Sequence, residues 1–180
     1  MYKYFYSVIY IISLYLFYNN IKQIYKYNGW FYKNILIFIA GGIMLYSLFY
    51  DNKTINNYIL PILLVINIAI LFFVTLNNKY TIINILPLFG IIYLLYMFNI
   101  NEFQFNKGKL INLNKEWIYE HIIILLIYYL FLNESAMELN DRIGAIIIIL
   151  YPLLFPLNEY YIHRIFSLCI MTQCAWLYNL

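Results

Sequence analysis

Seven long apolar runs divide this 180-residue chain, and they constrain its fold more than any other feature of the sequence. They occupy residues 4–18, 31–50, 58–76, 81–99, 117–132, 143–157 and 160–179. The runs are continuous rather than alternating, which favours helices over the strands of a barrel. A helix of about 20 apolar residues crosses the hydrocarbon core of a bilayer. The pattern therefore predicts an all-α, polytopic transmembrane protein with about seven spans and short loops, or six spans if one short run is re-entrant.

Composition supports that interpretation and argues against other classes. Hydrophobic residues make up 65% of the chain, charged residues only 11%, and the mean hydropathy is +0.74. An ordinary soluble domain carries about 25% charged residues. A disordered chain has low hydropathy and high net charge, and two cysteines cannot provide a disulfide scaffold. We therefore expect an integral membrane protein.

The polar breaks between the runs are short, which indicates one domain over residues 1–180. Only the break at 100–116 is long enough to hold a surface element. Residues 4–18 are expected to be the first span rather than a signal peptide, because no small-residue cleavage site follows them.

Charged and imidazole side chains gather at the starts of the fifth and seventh runs, which seven spans would place on one membrane face. The candidate polar cluster comprises Glu116, Glu120, His121, Glu159, His163 and Arg164. One interpretation is a proton relay or ion-handling cluster, and the favoured one is a structural pair such as Glu120 with Arg164, because charges near a membrane pair with one another in either case. We expect Glu116 or Glu120 to approach Arg164 or His163.

Small residues and one amide mark candidate helix contacts. Ala40, Gly41 and Gly42 form a small-residue patch within a run, and such patches let helix backbones approach closely. The patch fits either a contact with another subunit or packing within the chain. Asn67 lies in the middle of the third run, where bonding to a neighbouring helix is favoured over substrate binding.

No cofactor, metal or catalytic group is predicted. His121 and His163 could ligate a haem from facing helices, but no further ligand pattern accompanies them. Cys169 and Cys174 lie five residues apart, so on a helix they point about 140° apart and act as packing residues. Nucleotide-binding loops, metalloprotease helices and nucleophile elbows are absent from the sequence. The net charge of +3 forms no basic stripe, so nucleic acid is not expected as a partner, and no soluble substrate is indicated.

Tyrosines inside the runs point to partners of another kind. The set comprises Tyr10, Tyr15, Tyr46, Tyr93, Tyr96, Tyr128, Tyr129 and Tyr151. Their hydroxyls need hydrogen-bond partners away from water, on other helices or on other chains. The expected partners are therefore other membrane protein subunits and lipid.

In its richness in Tyr, Phe and Ile the chain resembles proteins encoded in ciliate mitochondrial DNA, many of which are respiratory-complex subunits. Residues 86–90, Leu-Pro-Leu-Phe-Gly, are similar to an element that starts a late helix of the antiporter-like subunit 2 of complex I (NADH dehydrogenase). Residues 126–130, Leu-Ile-Tyr-Tyr-Leu, resemble the end of that family's next helix. Phe131 stands where the family has arginine, and no lysine follows Gly90 within the run, so no family site residue is carried over.

That resemblance implies a structural integral-membrane subunit of a respiratory complex in the mitochondrial inner membrane, with a part in proton translocation. The alternative is an independent small seven-helix channel or transporter, for example a viral one. Residues 61–64 and 151–155 also resemble elements of microbial rhodopsins, but the last run has no lysine for a retinal Schiff base. No enzyme activity of the chain's own is predicted.

Overall fold

The structure is a computed structural model that describes residues 2–24, 28–77, 82–111, 114–131 and 139–178. Helices lie on all seven apolar runs. They are α1 (Tyr2–Ile24), α2 (Asn28–Phe49), α3 (Leu60–Asn77), α4 (Ile82–Tyr96), α5 (Lys115–Phe131), α6 (Leu139–Leu150) and α7 (Tyr160–Tyr178). The boundary between α6 and α7 is set by Pro152 and Pro156, which lack the backbone N–H that a continuing helix needs.

The prediction of a polytopic transmembrane fold is wrong. Within the described ranges, no helix combines the length and the apolar character that a membrane crossing requires. α4, α5 and α6 have 15, 17 and 12 residues, against about 20 for a span. The predicted integral-membrane localisation is wrong on the same finding.

Each helix packs on its neighbour in sequence, and α7 closes the arrangement by contacting α1, α2 and α6. One cluster of buried side chains draws on every helix and on the connection between α4 and α5. Trp117 is central to it, and its indole N–H donates to the Leu94 carbonyl at 3.1 Å. This bond joins α4 to the first turns of α5, where part of the predicted polar cluster lies.

The connection from α4 to α5 holds the surface element expected there. It contains a two-stranded antiparallel hairpin, β1 (Phe105–Asn106) and β2 (Lys109–Leu110). Lys107 and Gly108 both have positive φ, 47° and 77°, as a tight hairpin turn requires. A Cβ at Gly108 would lie 2.7 Å from Ile162 and 2.9 Å from Leu48, so the turn is pressed against α7 and α2. The hairpin is thereby fixed beside the start of α7.

A π turn over Ile55–Ile59 precedes α3. It buries Asn56, whose Oδ1 accepts from the Ser47 hydroxyl at 2.7 Å and whose Nδ2 donates to Asp51 at 3.0 Å. These bonds satisfy a buried amide at the junction between α2 and α3.

The small-residue patch packs within the chain. A Cβ at Gly41 would lie 3.0 Å from both Cys169 Sγ and a ring carbon of Tyr10, and one at Gly42 would lie 2.8 Å from the Tyr10 hydroxyl. Close approach of α1, α2 and α7 therefore depends on these glycines. Ala40 is half-buried beside them. Asn67 is half-buried on α3 and makes no hydrogen bond in the described part of the chain.

Candidate functional site

The predicted polar cluster assembles around the start of α7, although not with the predicted pairing. Glu159, His163 and Arg164 are buried there, and His121 is buried opposite them on α5. Glu116 is exposed and Glu120 is half-buried. Neither forms an ion pair with Arg164 or His163. The acidic partner of His163 is Glu159, four residues earlier, at the end of the short 3-10 turn Leu157–Glu159 that precedes α7.

A line of hydrogen bonds runs inward from the hairpin. Lys109 Nζ lies 2.5 Å from Glu159 Oε1, and His163 Nε2 lies 3.4 Å from Glu159 Oε2. His163 Nδ1 is hydrogen-bonded to the hydroxyl of Tyr6 on α1. These four residues, Lys109, Glu159, His163 and Tyr6, form the His163 network, which joins the hairpin, α7 and α1.

Proton positions in the His163 network follow from what each atom can do. The Glu159 carboxylate only accepts, so His163 Nε2 carries a hydrogen, and Nδ1 accepts from the Tyr6 hydroxyl. Burial lowers the pKa of His163, and the nearby Glu159 only partly offsets this. Burial raises the pKa of Glu159, but hydrogen bonds from Lys109 and His163 outweigh it and hold that pKa below its ordinary value. At neutral pH the imidazole is uncharged, the carboxylate is ionised, and both ring nitrogens have partners.

Aromatic rings fix the geometry of this network. The Tyr6 ring stacks on Phe166 at 4.4 Å between centroids, and the His163 ring stacks on Phe155 at 3.5 Å. Tyr6 and His163 are each only 3% exposed. The rings hold the two side chains in one orientation and enclose them.

A second set of polar groups lies next to the first. His121 Nδ1 is 3.1 Å from the Tyr161 hydroxyl, and Arg164 Nη1 donates to the Tyr160 hydroxyl at 3.3 Å. We call His121, Tyr160, Tyr161 and Arg164 the His121 network. His121 Nε2 is fully enclosed and has no hydrogen-bond partner among the described atoms.

Burial dominates the titration of the His121 network. Burial lowers the pKa of His121 well below its usual range, and the positive charge of Arg164 adds to this. Burial raises the pKa of Tyr161 well above its usual range, with a contribution from Tyr160. His121 is therefore neutral and Tyr161 remains protonated at neutral pH.

Metal binding has no obvious centre in the residues that the structure covers, where no three His, Cys, Asp or Glu side chains group together. Burial raises the pKa of the Cys169 thiol to about 12, so it stays protonated and packs against α2. The side chain of Cys174 lies outside the described residues.

The outward side of α1 is apolar, and its inward side is partly polar. The outer face of α1 comprises Tyr4, Phe5, Val8, Ile11, Ile12, Tyr15 and Tyr18, which are 47–75% exposed. The buried stripe on the opposite side, at intervals of seven residues, is Tyr6, Ser13 and Asn20. Ile9, Tyr10 and Phe17 also pack against the core, so α1 is apolar on both sides and lacks the polar outer face of an ordinary amphipathic helix.

Sequence reasoning missed Lys109 and Tyr6. The turn residues Asn106, Lys107 and Gly108 signal a hairpin, but no pattern indicates that the hairpin folds back on α7. Tyr6 sits in an apolar run and differs in no visible way from Tyr4 or Tyr10.

The motifs that resemble complex I subunit 2 lie in α4 and α5, where Gly90 allows close approach of Ile124. Among the tyrosines of the runs, Tyr10 donates to the Phe38 carbonyl at 2.8 Å, whereas Tyr15, Tyr46, Tyr93, Tyr96 and Tyr151 are exposed. The resemblance itself stays a prediction. Comparisons with protein-family models, with curated proteins and with solved structures found no match to this chain.

Proposed function

We propose that this chain is a non-catalytic structural subunit of a larger protein assembly and that it attaches through the outer face of α1. The observation that carries the proposal is the exposed apolar outer face of α1, on a helix that buries the polar Ser13 and Asn20 on its other side. Isolated exposed apolar residues are common, but a contiguous apolar surface on a folded chain marks an interaction site.

The composition of the outer face favours another protein as its cover. Between Lys3 and Lys22, α1 carries no charged residue, and apart from Asn19 its exposed positions are tyrosine, phenylalanine and branched aliphatic residues. Depletion of charge and enrichment of aromatic residues distinguish the centre of a protein interface, while charged residues occupy its rim. Tyrosine is also common among the residues that dominate binding energy.

The orientation of α1 is fixed, so the apolar face does not result from a helix free to rotate. The hydroxyl of Tyr6 is hydrogen-bonded to His163, and the hydroxyl of Tyr10 donates a hydrogen bond to the Phe38 carbonyl of α2. The Ser13 hydroxyl donates to the Ile9 carbonyl of its own helix at 2.7 Å, which satisfies it on the buried side. Turning the outer face inward would break the first two bonds.

Catalysis is less well supported. Glu159, His163 and Tyr6 have the order of an orienting carboxylate, a base and a hydroxyl, which is the arrangement of activated nucleophiles. However, Tyr6 and His163 are enclosed, with aromatic rings stacked on both. A substrate could not reach the hydroxyl without displacing α1, so the network is better suited to joining helices.

The test is Ile11→Glu at the centre of the outer face, with Ile111→Glu as the matched control. Both isoleucines are well exposed, but Ile111 directly follows β2 of the hairpin and is not part of α1. We expect the natural chain, tagged and isolated from its own host, to migrate with other polypeptides in fixed stoichiometry. Ile11→Glu should release it to its own mass of 21.9 kDa, whereas Ile111→Glu should leave the assembly intact.

Circular dichroism of both variants separates loss of docking from loss of folding. If the folded Ile11→Glu chain stays in the assembly, or if the natural chain migrates alone, the proposed attachment is refuted.

A further inference from the structure

Arg164 is a buried cation whose charge is not balanced by any acidic side chain in the described ranges. It is 7% exposed, and the only hydrogen bond of its guanidinium there is the one from Nη1 to Tyr160. Arginine is almost never buried unless it is paired, because an isolated charge loses its hydration without compensation. A balancing negative charge must therefore come from a group outside these residues.

His121 presents a second unmet group close by. Its Nε2 is fully enclosed without a partner, and the ring lies against Trp117 at 5.2 Å between centroids. The Tyr161 hydroxyl can donate to Nδ1 or accept from it, and an acceptor placed at Nε2 selects the tautomer in which Tyr161 donates and the imidazole hydrogen sits on Nε2. His121 Nε2 is thus a buried nitrogen without a partner, and it becomes a donor when an acceptor lies beside it.

Two adjacent tyrosines bring these groups together. Tyr160 and Tyr161 are consecutive at the start of α7, and their rings are 5.3 Å apart. The first binds Arg164 and the second binds His121. Arg164 also lies one helical turn after both, so the guanidinium and the imidazole flank the same tyrosine pair.

We propose that Arg164 and His121 form a binding site for an oxyanion, of the carboxylate or phosphate class. The guanidinium offers a planar fork of donors that matches both anions, and His121 Nε2–H supplies one more donor. The surrounding Trp117 and Tyr161 rings exclude water, which strengthens hydrogen bonds made inside them. The residues of this site are distinct from the outer face of α1, so the inference does not rest on the proposed function.

The first experiment measures thermal unfolding of the full chain in inorganic phosphate and in acetate, with chloride at matched ionic strength as the reference. We expect phosphate, acetate or both to raise the Tm saturably, by about 4 °C at ten times the Kd. The two anions report which oxyanion geometry the site prefers. A Tm that is the same in all three salts would overturn the proposal.

Arg164→Gln is the informative variant, and Lys53→Gln is its matched control because Lys53 is exposed and distant in sequence. Removing an unbalanced buried charge should leave the chain at least as stable in chloride. The anion-dependent rise in Tm should disappear in Arg164→Gln and persist in Lys53→Gln. An equal rise in both variants would show that the anion acts elsewhere and would refute the site.

Nitrogen-15 NMR of the His121 side chain provides a readout that does not depend on stability. Binding should shift the Nε2 resonance of His121 and leave the Nε2 resonance of His163 unchanged, since that atom already donates to Glu159. Shifts of equal size at both histidines, or at neither, would contradict direct contact with the anion.

Discussion

The two histidines of this protein are equally little exposed to solvent, yet their hydrogen bonding differs. In the His163 network both ring nitrogens have partners, and Glu159 receives a proton donor on each oxygen. In the His121 network one ring nitrogen is enclosed without a partner, and Arg164 has no counter-charge within the described residues. A complete network stabilises the packing of its elements, whereas an incomplete one keeps donors available for a ligand.

This difference in hydrogen bonding arises from which elements place a charged side chain of opposite sign beside each network. The hairpin delivers Lys109 to Glu159 because Gly108 lets its turn press against α7 and α2. No described element delivers a carboxylate to Arg164, since Glu116 is exposed and Glu120 only half-buried on the same helix as His121. Although Glu116 and Glu120 are close to His121 in sequence, their side chains do not reach Arg164.

The largest expected effect follows from removing the centre of the complete network. Glu159→Ala leaves the His163 Nε2 hydrogen buried without an acceptor and removes the partner of Lys109. We expect the free energy of unfolding to fall by about 3 kcal/mol, measured by urea denaturation. The control Glu116→Ala, at an exposed site, should change it by less than about 0.5 kcal/mol. Equal effects at the two positions would show that the His163 network adds no stability beyond that of an exposed glutamate.

A smaller loss in the free energy of unfolding is expected for a change at Tyr6, the other end of the His163 network. Tyr6→Phe keeps the ring that stacks on Phe166 but leaves His163 Nδ1 without its donor. An unsatisfied buried acceptor costs about 1–2 kcal/mol, again measured by urea denaturation. Tyr15→Phe, on the exposed side of α1, should be nearly neutral. Should Tyr6→Phe be neutral as well, the bond to His163 contributes nothing to holding α1.

The third effect is gradual rather than a single step: the free energy of unfolding depends on pH, and this dependence sharpens the comparison. Both histidine pKa values are lowered by folding, His121 more than His163. A lowered histidine pKa means that the unfolded chain binds protons more readily. The stabilisation is therefore complete above about pH 6.5, the unfolded value, and is lost as the pH falls through each folded value.

We expect the free energy of unfolding to fall by up to about 1.4 kcal/mol per pH unit for each histidine below pH 6.5. Because folding lowers the pKa of His121 more than that of His163, the loss of stability due to His121 continues to lower pH. His121→Gln should abolish this part of the loss. Urea denaturation between pH 7.5 and pH 5 measures it, above the range in which Glu159 titrates. A slope unchanged by His121→Gln would assign the pH dependence to other groups.

Much of the helical layout could be predicted from the apolar runs, because a buried or packed helix needs an apolar stretch of this length. An apolar run does not show whether protein or lipid covers the helix. For this reason the prediction that the runs span a bilayer was wrong. On α1 the same run contains the outer face and the anchoring Tyr6, and only the rotation of the helix separates them. Rotation depends on contacts with α2 and α7, which hydropathy does not encode.

The candidate site was predictable where its members are close in sequence. Glu159 and His163 lie four residues apart, from the short 3-10 turn to the first turn of α7, so local structure alone brings them together. Lys109 and Tyr6 come from 50 or more residues away along the chain. Their approach depends on how the hairpin and α1 dock on α7, so a single sequence offers no local signal for it.

The π turn at Ile55–Ile59 has a consequence for how the chain tolerates insertions and deletions. A π turn holds an extra residue compared with an ordinary α turn, so losing one residue there would still leave a continuous helix. The residues before the deletion would rotate by about 100° relative to α3. Asn56 would then leave the Ser47 and Asp51 side chains that it now joins. Chain length at this point sets the angular position of Asn56 relative to α3.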